Sequence, residues 1–323
     1  MVHAIRIHET GGPDKMKWEA VDAGAPGKGQ IRVKHHAVGI NYIDTYQRSG
    51  LYPIELPAVL GMEGAGEVVA VGTDAYDFKV GDRVAYANPM GSYSEERVMP
   101  AERAVKVPEG VSYDQAAAMM LQGMTTRYLL RQTYIVGPET TLLFHAAAGG
   151  VGLIACQWAK HLGATVIGTA GSDEKCKLAK DHGATHMINY RSEDFVKRVK
   201  ELTDGKGVDV VYDSIGADTY PKSLDCLKPL GLFVTFGNAS GPIKDFDVGG
   251  LAAKGSLYVT RPTLFTYTSS RDDLVANAND LFSVVKSGAV KIKVNQTYPL
   301  ADAAQAHRDL EARKTTGSTV LKP

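Results

Sequence analysis

The sequence predicts a two-domain α/β protein: a glycine-rich β barrel, then a doubly wound sheet of six parallel strands. Three observations carry this. Short β-branched runs are broken by Gly39, Gly61, Gly64, Gly66, Gly72 and Gly81, a pattern suited to small, strongly bent sheets. An apolar run at 142–144 enters the turn His145-Ala146-Ala147-Ala148-Gly149-Gly150-Val151-Gly152, and a helical pattern follows at once. Strand and helix then alternate five more times, up to a sixth strand at 257–260.

In the first domain, 2–7 and 30–38 read as strands, and 92–107 adds more. Between them, residues 39–53 are dense in polar and aromatic side chains and read as a loop. Helical patterns cover 113–120 and 125–134. Beyond the central turn the strands fall at 165–168, 186–188, 208–212, 232–236 and 257–260. Helices fall at 174–182, 194–202, 224–227 and 248–253. From about 263 the chain returns to the first domain through two amphipathic helices and a strand at 319–321. The expected division is therefore 1–122 with 263–323, around a nucleotide-binding domain at 123–262.

Composition narrows the function. Thirty-six basic residues balance thirty-six acidic ones, so no global field draws nucleic acid or anionic membrane. No apolar run approaches the roughly 18 residues of a membrane helix. Cys156, Cys176 and Cys226 are too scattered for a disulfide framework or a metal knuckle, which suits a cytoplasmic protein. His35, His36 and His145 lack partners at metal-ligand spacing and read as satisfied strand histidines, and Cys156 as core.

The central turn places Ala147, Gly149 and Gly152 where G-x-G-x-x-G has its glycines. Small residues there permit the tight turn, let backbone approach a pyrophosphate, and let helix pack on strand. The N–H groups of Gly149, Gly150 and Val151 then face the anion at the positive end of a helix.

These motifs together resemble the medium-chain dehydrogenase/reductase superfamily. The resemblance rests on Gly-x-Glu-Gly-x-Gly-x-Val at 61–68, Gly-Asp-x-Val at 81–84 and the 147–152 turn. Asn41-Tyr42-Ile43-Asp44, the 145–152 turn, Asn189-Tyr190 and Phe236-Gly237-Asn238 are similar to the zinc-free quinone oxidoreductases, which include the ζ-crystallins. The resemblance implies a GroES-like catalytic domain, a Rossmann domain, NADPH in the cleft between them, a quinone substrate and a homodimer. It also keeps open an enoyl or alkenal reductase, or a non-catalytic NADPH- or RNA-binding protein. The balanced charge argues against RNA.

Asn41 and Met62 stand where the zinc-dependent relatives place Cys and His ligands. An amide and a thioether cannot replace them, so no metal is expected. Asn41 reads either as a turn residue or as an amide reaching nicotinamide or substrate. Tyr46 and Tyr52 read as packing aromatics or as pocket walls for a flat acceptor, and Asp44 as a loop brace or a cofactor contact. Thr125 reads as a helix cap that by resemblance faces the nicotinamide. Ser214, Phe236, Gly237, Asn238, Arg261 and Pro262 follow strands at their carboxyl ends, where open α/β sheets bind ligands.

NADPH is favoured over NADH because the second strand ends in Ala170-Gly171-Ser172 without a carboxylate for the ribose diol. Gly171, Ser172, Lys175 and Tyr190 can meet a 2′-phosphate instead. Asp173 is the contrary residue, and its place at a helix start gives it a capping role.

Overall fold

The computed structural model describes all 323 residues, Met1–Pro323. The chain divides into two compact units: Met1–Met124 with Thr268–Phe282 and Ile292–Pro323, and Thr125–Tyr267 with Ser283–Lys291.

The first unit is β-rich. A seven-stranded sheet runs Val294–Pro299, Ser318–Lys322, Gln30–Gly39, Glu63–Val71, Arg83–Ala87 and Val105–Lys106, with Glu96–Pro100 also paired on Gln30–Gly39. Val2–Ile7 lies between Lys17–Val21 and Ala58–Val59 in a second sheet. The register between Gln30–Gly39 and Glu63–Val71 shifts twice, which bends the sheet as the glycine pattern anticipates. Gly66 shows why glycine is required, since a Cβ there would lie 2.0 Å from the Lys34 carbonyl oxygen. The strand Lys17–Val21 goes unseen in the sequence because it is short, edge-placed and half exposed.

Residues 42–49 form a helix, Tyr42–Ser49, not the expected loop. Asn41 is extended at its start (φ −138°, ψ 154°), and the Asp44 carboxylate accepts from the Asn41 backbone N–H at 2.8 Å. Gly50 closes it in the left-handed region at φ 85°. Its buried residues are Asp44, Thr45, Tyr46, Gln47 and Arg48. A helix that buries polar side chains shows no apolar stripe, so periodicity misses it.

The second unit is a sheet of six parallel strands. Their order is His186–Asn189, Thr165–Ala170, Thr141–Phe144, Val208–Asp213, Leu227–Thr235, Tyr258–Thr260. This is the doubly wound arrangement, with the chain reversing direction across the sheet beside the first strand. Leu143, Ile167, Ile188, Val211 and Phe233 form its core. The helix expected at 224–227 lies instead at Lys222–Asp225, and Leu227 already begins a nine-residue strand. Pro229 and Gly231 are poor strand formers and hide the first half of that strand from a sequence reading; in the structure Leu230 between them has a positive φ of 62°. No helix is long and apolar enough to cross a membrane.

Candidate active site

In the parallel-sheet unit, Thr141–Phe144 ends at His145, and Gly149 caps the helix Gly150–His161. The turn is tightened by Ala146 at φ 55° and by the Gly149 N–H donating to the Ala146 carbonyl at 2.9 Å. A Cβ on Gly152 would lie 2.5 Å from the Ala146 carbonyl oxygen, so only glycine lets the helix sit this close. The first helical hydrogen bond runs from Leu153 N–H to the Gly149 carbonyl, at 2.9 Å. The N–H groups of Gly150, Val151 and Gly152 precede it and have no partner within the helix, and no capping side chain covers them. That cradle fits the pyrophosphate of a dinucleotide.

His145 stands beneath the turn, bonded to Thr169 Oγ1 at 2.9 Å and Ser223 Oγ at 3.0 Å, and burial lowers its pKa. It is a structural histidine.

At the end of Thr165–Ala170, Ser172 caps the helix Asp173–Asp181, accepting from the Lys175 N–H at 3.3 Å. The capping role expected of Asp173 therefore belongs to its neighbour. The Asp173 carboxylate instead accepts from Asn189 Nδ2 at 2.7 Å. Tyr190 lies over Gly171, where a Cβ would fall 2.5 Å from the phenol oxygen. Gly171, Ser172 and Tyr190 thus gather with half-buried Lys175 at one corner of the sheet.

Further along, a Cβ on Gly237 would lie 2.4 Å from the Ser214 carbonyl oxygen. Phe236 N–H donates to the Asp213 carbonyl at 2.8 Å, and Arg261 donates to the Gly237 carbonyl at 3.0 Å. The fold therefore brings Ser214, Phe236, Gly237, Asn238, Arg261 and Pro262 together at the carboxyl ends of the last three strands. Asp213 shapes this wall by accepting from Ile215 N–H at 2.7 Å, Gly216 N–H at 3.1 Å and Thr219 at 2.6 Å. Thr125 is buried inside the helix Met120–Tyr128, so it is not the helix cap expected of it.

In the β-rich unit, Asn41 is the centre of a buried polar network. Its Nδ2 donates to Glu63 Oε2 at 2.8 Å, and its Oδ1 accepts from Gln122 Nε2 at 3.1 Å. Tyr46 is buried, and its ring meets half-buried Tyr52 edge to face at 5.3 Å. Asp44 accepts from the Tyr93 hydroxyl at 2.9 Å. That hydroxyl lies 3.0 Å from His307 Nε2, and His307 Nδ1 accepts from Arg48 at 2.9 Å. Arg48 in turn pairs with Glu311 at 2.6 Å. Burial pushes Asp44 up to about 7 and Glu63 up to about 8. Burial, aided by Arg48, pushes His307 down to about 3.

Sequence reasoning assigned no role to Glu63, Tyr93, Gln122 or His307. Glu63 carried a signal, a carboxylate at the start of the small-residue run Glu63-Gly64-Ala65-Gly66. The others lie 49 or more positions from their partners and carried none.

Two family profiles match the chain, the alcohol dehydrogenase GroES-like domain at 27–109 and the zinc-binding dehydrogenase at 150–277. The quinone oxidoreductase of Pseudomonas aeruginosa is 54% identical, covering all of both chains. The structure of Escherichia coli quinone oxidoreductase complexed with NADPH superposes with a TM-score of 0.98 at 50% identity, covering 99% of this chain and 100% of that one. The chain belongs to the zinc-free quinone oxidoreductases of the medium-chain dehydrogenase/reductase superfamily. A 2-haloacrylate reductase from Burkholderia sp. is 48% identical over 100% of this chain and 99% of its own.

Asn41 is tied into amide and carboxylate contacts, and Met62 receives the Gln47 amide at 3.3 Å from its sulfur. No group of three His, Cys, Asp or Glu is placed to hold a metal ion.

Proposed function

We propose that this chain is an NADPH-dependent quinone reductase in which hydrogen bonds, rather than a zinc ion, polarise the acceptor. The backbone N–H groups of Gly150, Val151 and Gly152 hold the pyrophosphate, while Gly149, whose own N–H is bonded to the Ala146 carbonyl, shapes the turn; Gly171, Ser172, Lys175 and Tyr190 hold the 2′-phosphate. Thr125, Ser214, Phe236, Gly237, Asn238, Arg261 and Pro262 complete the cofactor wall, whereas Asp44, fully buried and bonded to Asn41 and Tyr93, braces its own helix and is not a cofactor contact. The carrying observation is the corner at Gly171, where the two carboxylates of the helix start are already engaged, Asp173 by Asn189 and Glu174 by Ser172. Bound on these residues, NADPH supplies a hydride. Asn41 keeps one amide N–H beyond its bond to Glu63, and this N–H donates to the acceptor's carbonyl oxygen. Tyr46 and Tyr52, packed edge to face, form an aromatic wall for a flat ring.

The β-rich unit is the GroES-like catalytic domain in this reading, and the parallel-sheet unit the Rossmann domain. The protein works in the cytoplasm as a homodimer, and nucleic acid is not a partner. Steady-state rates with NADPH and an ortho- or para-quinone test the activity against α,β-unsaturated carbonyls. Turnover of quinones at least tenfold more efficient supports it. The reverse preference favours double-bond reduction, the reaction class suggested by the haloacrylate reductase relative.

A further inference from the structure

Asn41 does not stand alone. A buried ladder of four side chains runs through the β-rich unit: Glu63, Asn41, Gln122 and Ser318. Its polarity is set at one end. Glu63 Oε1 accepts from the Leu121 backbone N–H at 2.8 Å, a donor that cannot be reversed. When the carboxylate is ionised, Glu63 Oε2 is an acceptor facing the Asn41 amide at 2.8 Å, so the amide nitrogen must lie there. Asn41 Oδ1 consequently points to Gln122 Nε2, and Gln122 Oε1 accepts from the Ser318 hydroxyl at 2.7 Å. All four side chains are nine-tenths or more buried. Space for the carboxylate comes from Gly39, where a Cβ would fall 2.5 Å from Glu63 Oε2.

We propose that Glu63 and Gln122 are positioning residues that orient the Asn41 amide so that its spare N–H, not its oxygen, meets the acceptor oxygen. This rests on the reading of Asn41 given under Proposed function. Water or a flexible contact would leave a terminal amide free to rotate by half a turn at little cost. The carboxylate removes that freedom, because the reversed amide would set oxygen against oxygen.

The chemistry of the ladder supplies its own test. In Glu63→Gln the new side chain still accepts from Leu121 N–H, so its amide nitrogen faces Asn41. Asn41 and Gln122 both reverse, Gln122 now donates to Ser318 Oγ, and Ser318 keeps its bond to the Ala118 carbonyl. No hydrogen bond is lost, but the functional end of Asn41 is inverted. Gln122→Glu alone sets two carboxylates against one amide, whereas the double variant Glu63→Gln/Gln122→Glu restores a consistent, reversed ladder.

Assays at pH 9, above the value of about 8 to which burial pushes Glu63, keep the wild-type carboxylate ionised. At this pH Glu63→Gln, which removes a buried charge, should melt no lower than wild type and keep its NADPH affinity while kcat with quinone falls about ten- to a hundredfold, the effect of one misdirected hydrogen bond. Gln122→Glu should melt lower. The double variant should regain the melting temperature yet stay slow. Recovery of kcat together with stability would reduce the ladder to a structural role and overturn the proposal. So would wild-type kcat in Glu63→Gln. Asn41→Ala separates the two readings: if it turns over quinone at the wild-type rate, the role of Asn41 itself is wrong. If it is slow while Glu63→Gln is not, only the orientation proposal falls.

Discussion

In the proposed site, cofactor choice rests on a single side chain. Lys175 sits half buried beside Gly171 and Ser172, while Asp173 is held by Asn189. A charge-assisted contact to a 2′-phosphate is worth roughly 1.5–3 kcal/mol. Lys175→Ala should therefore weaken NADPH about ten- to a hundredfold and leave NADH nearly unchanged, as measured by fluorescence titration. Equal losses would place the 2′-phosphate elsewhere. Tyr52 packs edge-on against Tyr46 and donates its backbone N–H to the Tyr46 carbonyl at 3.0 Å, and in the proposed site it acts through shape. Tyr52→Phe keeps the ring, so KM for quinone should change by no more than about threefold with kcat unaltered. A thousandfold fall in kcat would assign the hydroxyl to proton transfer.

At the scale of elements, the helix Tyr42–Ser49 is stabilised from its polar face. Arg48 donates to the Gly11 carbonyl at 3.0 Å, to His307 at 2.9 Å and to Glu311, which lies on the helix Ala303–Glu311. The chain Arg48–His307–Tyr93–Asp44 donates in one direction, which supports a negative charge on Asp44 and through it the start of the helix. Arg48→Met strips buried partners at once, and should cost roughly 2–4 kcal/mol, less than a fully buried pair because Glu311 is part exposed. A melting temperature lowered by only a degree or two would show that the brace is dispensable. The glycine turn at 147–152 behaves differently: it was legible in the sequence because its constraint is local, a few residues of backbone with no room for a side chain.

For the whole molecule, buried titratable groups set a stability optimum. His35, bonded to Ser94 and Tyr86, and His307 are both pushed by burial from 6.5 to about 3. The unfolded chain binds protons that these sites refuse, so stability falls as pH drops from about 6.5 towards 3, by up to about 1.4 kcal/mol per pH unit for each histidine. Asp44 and Glu63 are raised to about 7 and 8, so the folded state holds protons that the unfolded chain releases. Their contribution falls as pH rises from about 4.5 to 8. Urea midpoints should therefore peak at about pH 5–6 and decline on both sides, and a midpoint still climbing at pH 8 would contradict these burial effects.

The strand Tyr258–Thr260 ends the parallel sheet, and Tyr258 and Val259 are 61% and 39% exposed. An unpaired apolar edge invites a second copy, so if the proposed homodimer pairs through this strand, light scattering should give a dimer mass for the native chain and a monomer mass for Val259→Glu. An unchanged mass would move the interface elsewhere.

The sequence alone was enough for the layers, the strand count of the parallel sheet, the glycine turn and the missing carboxylate after Thr165–Ala170. These features are written in neighbouring residues, through side-chain period and the space available to backbone. Tertiary structure decided the rest. The helix Tyr42–Ser49 buries polar side chains, so it exists only because Arg48 finds partners 259 and 263 positions away. The orientation of the Asn41 amide depends on Glu63 and Gln122, 22 and 81 positions distant. Buried polar groups need partners, and in a folded chain those partners come from wherever the strands bring them.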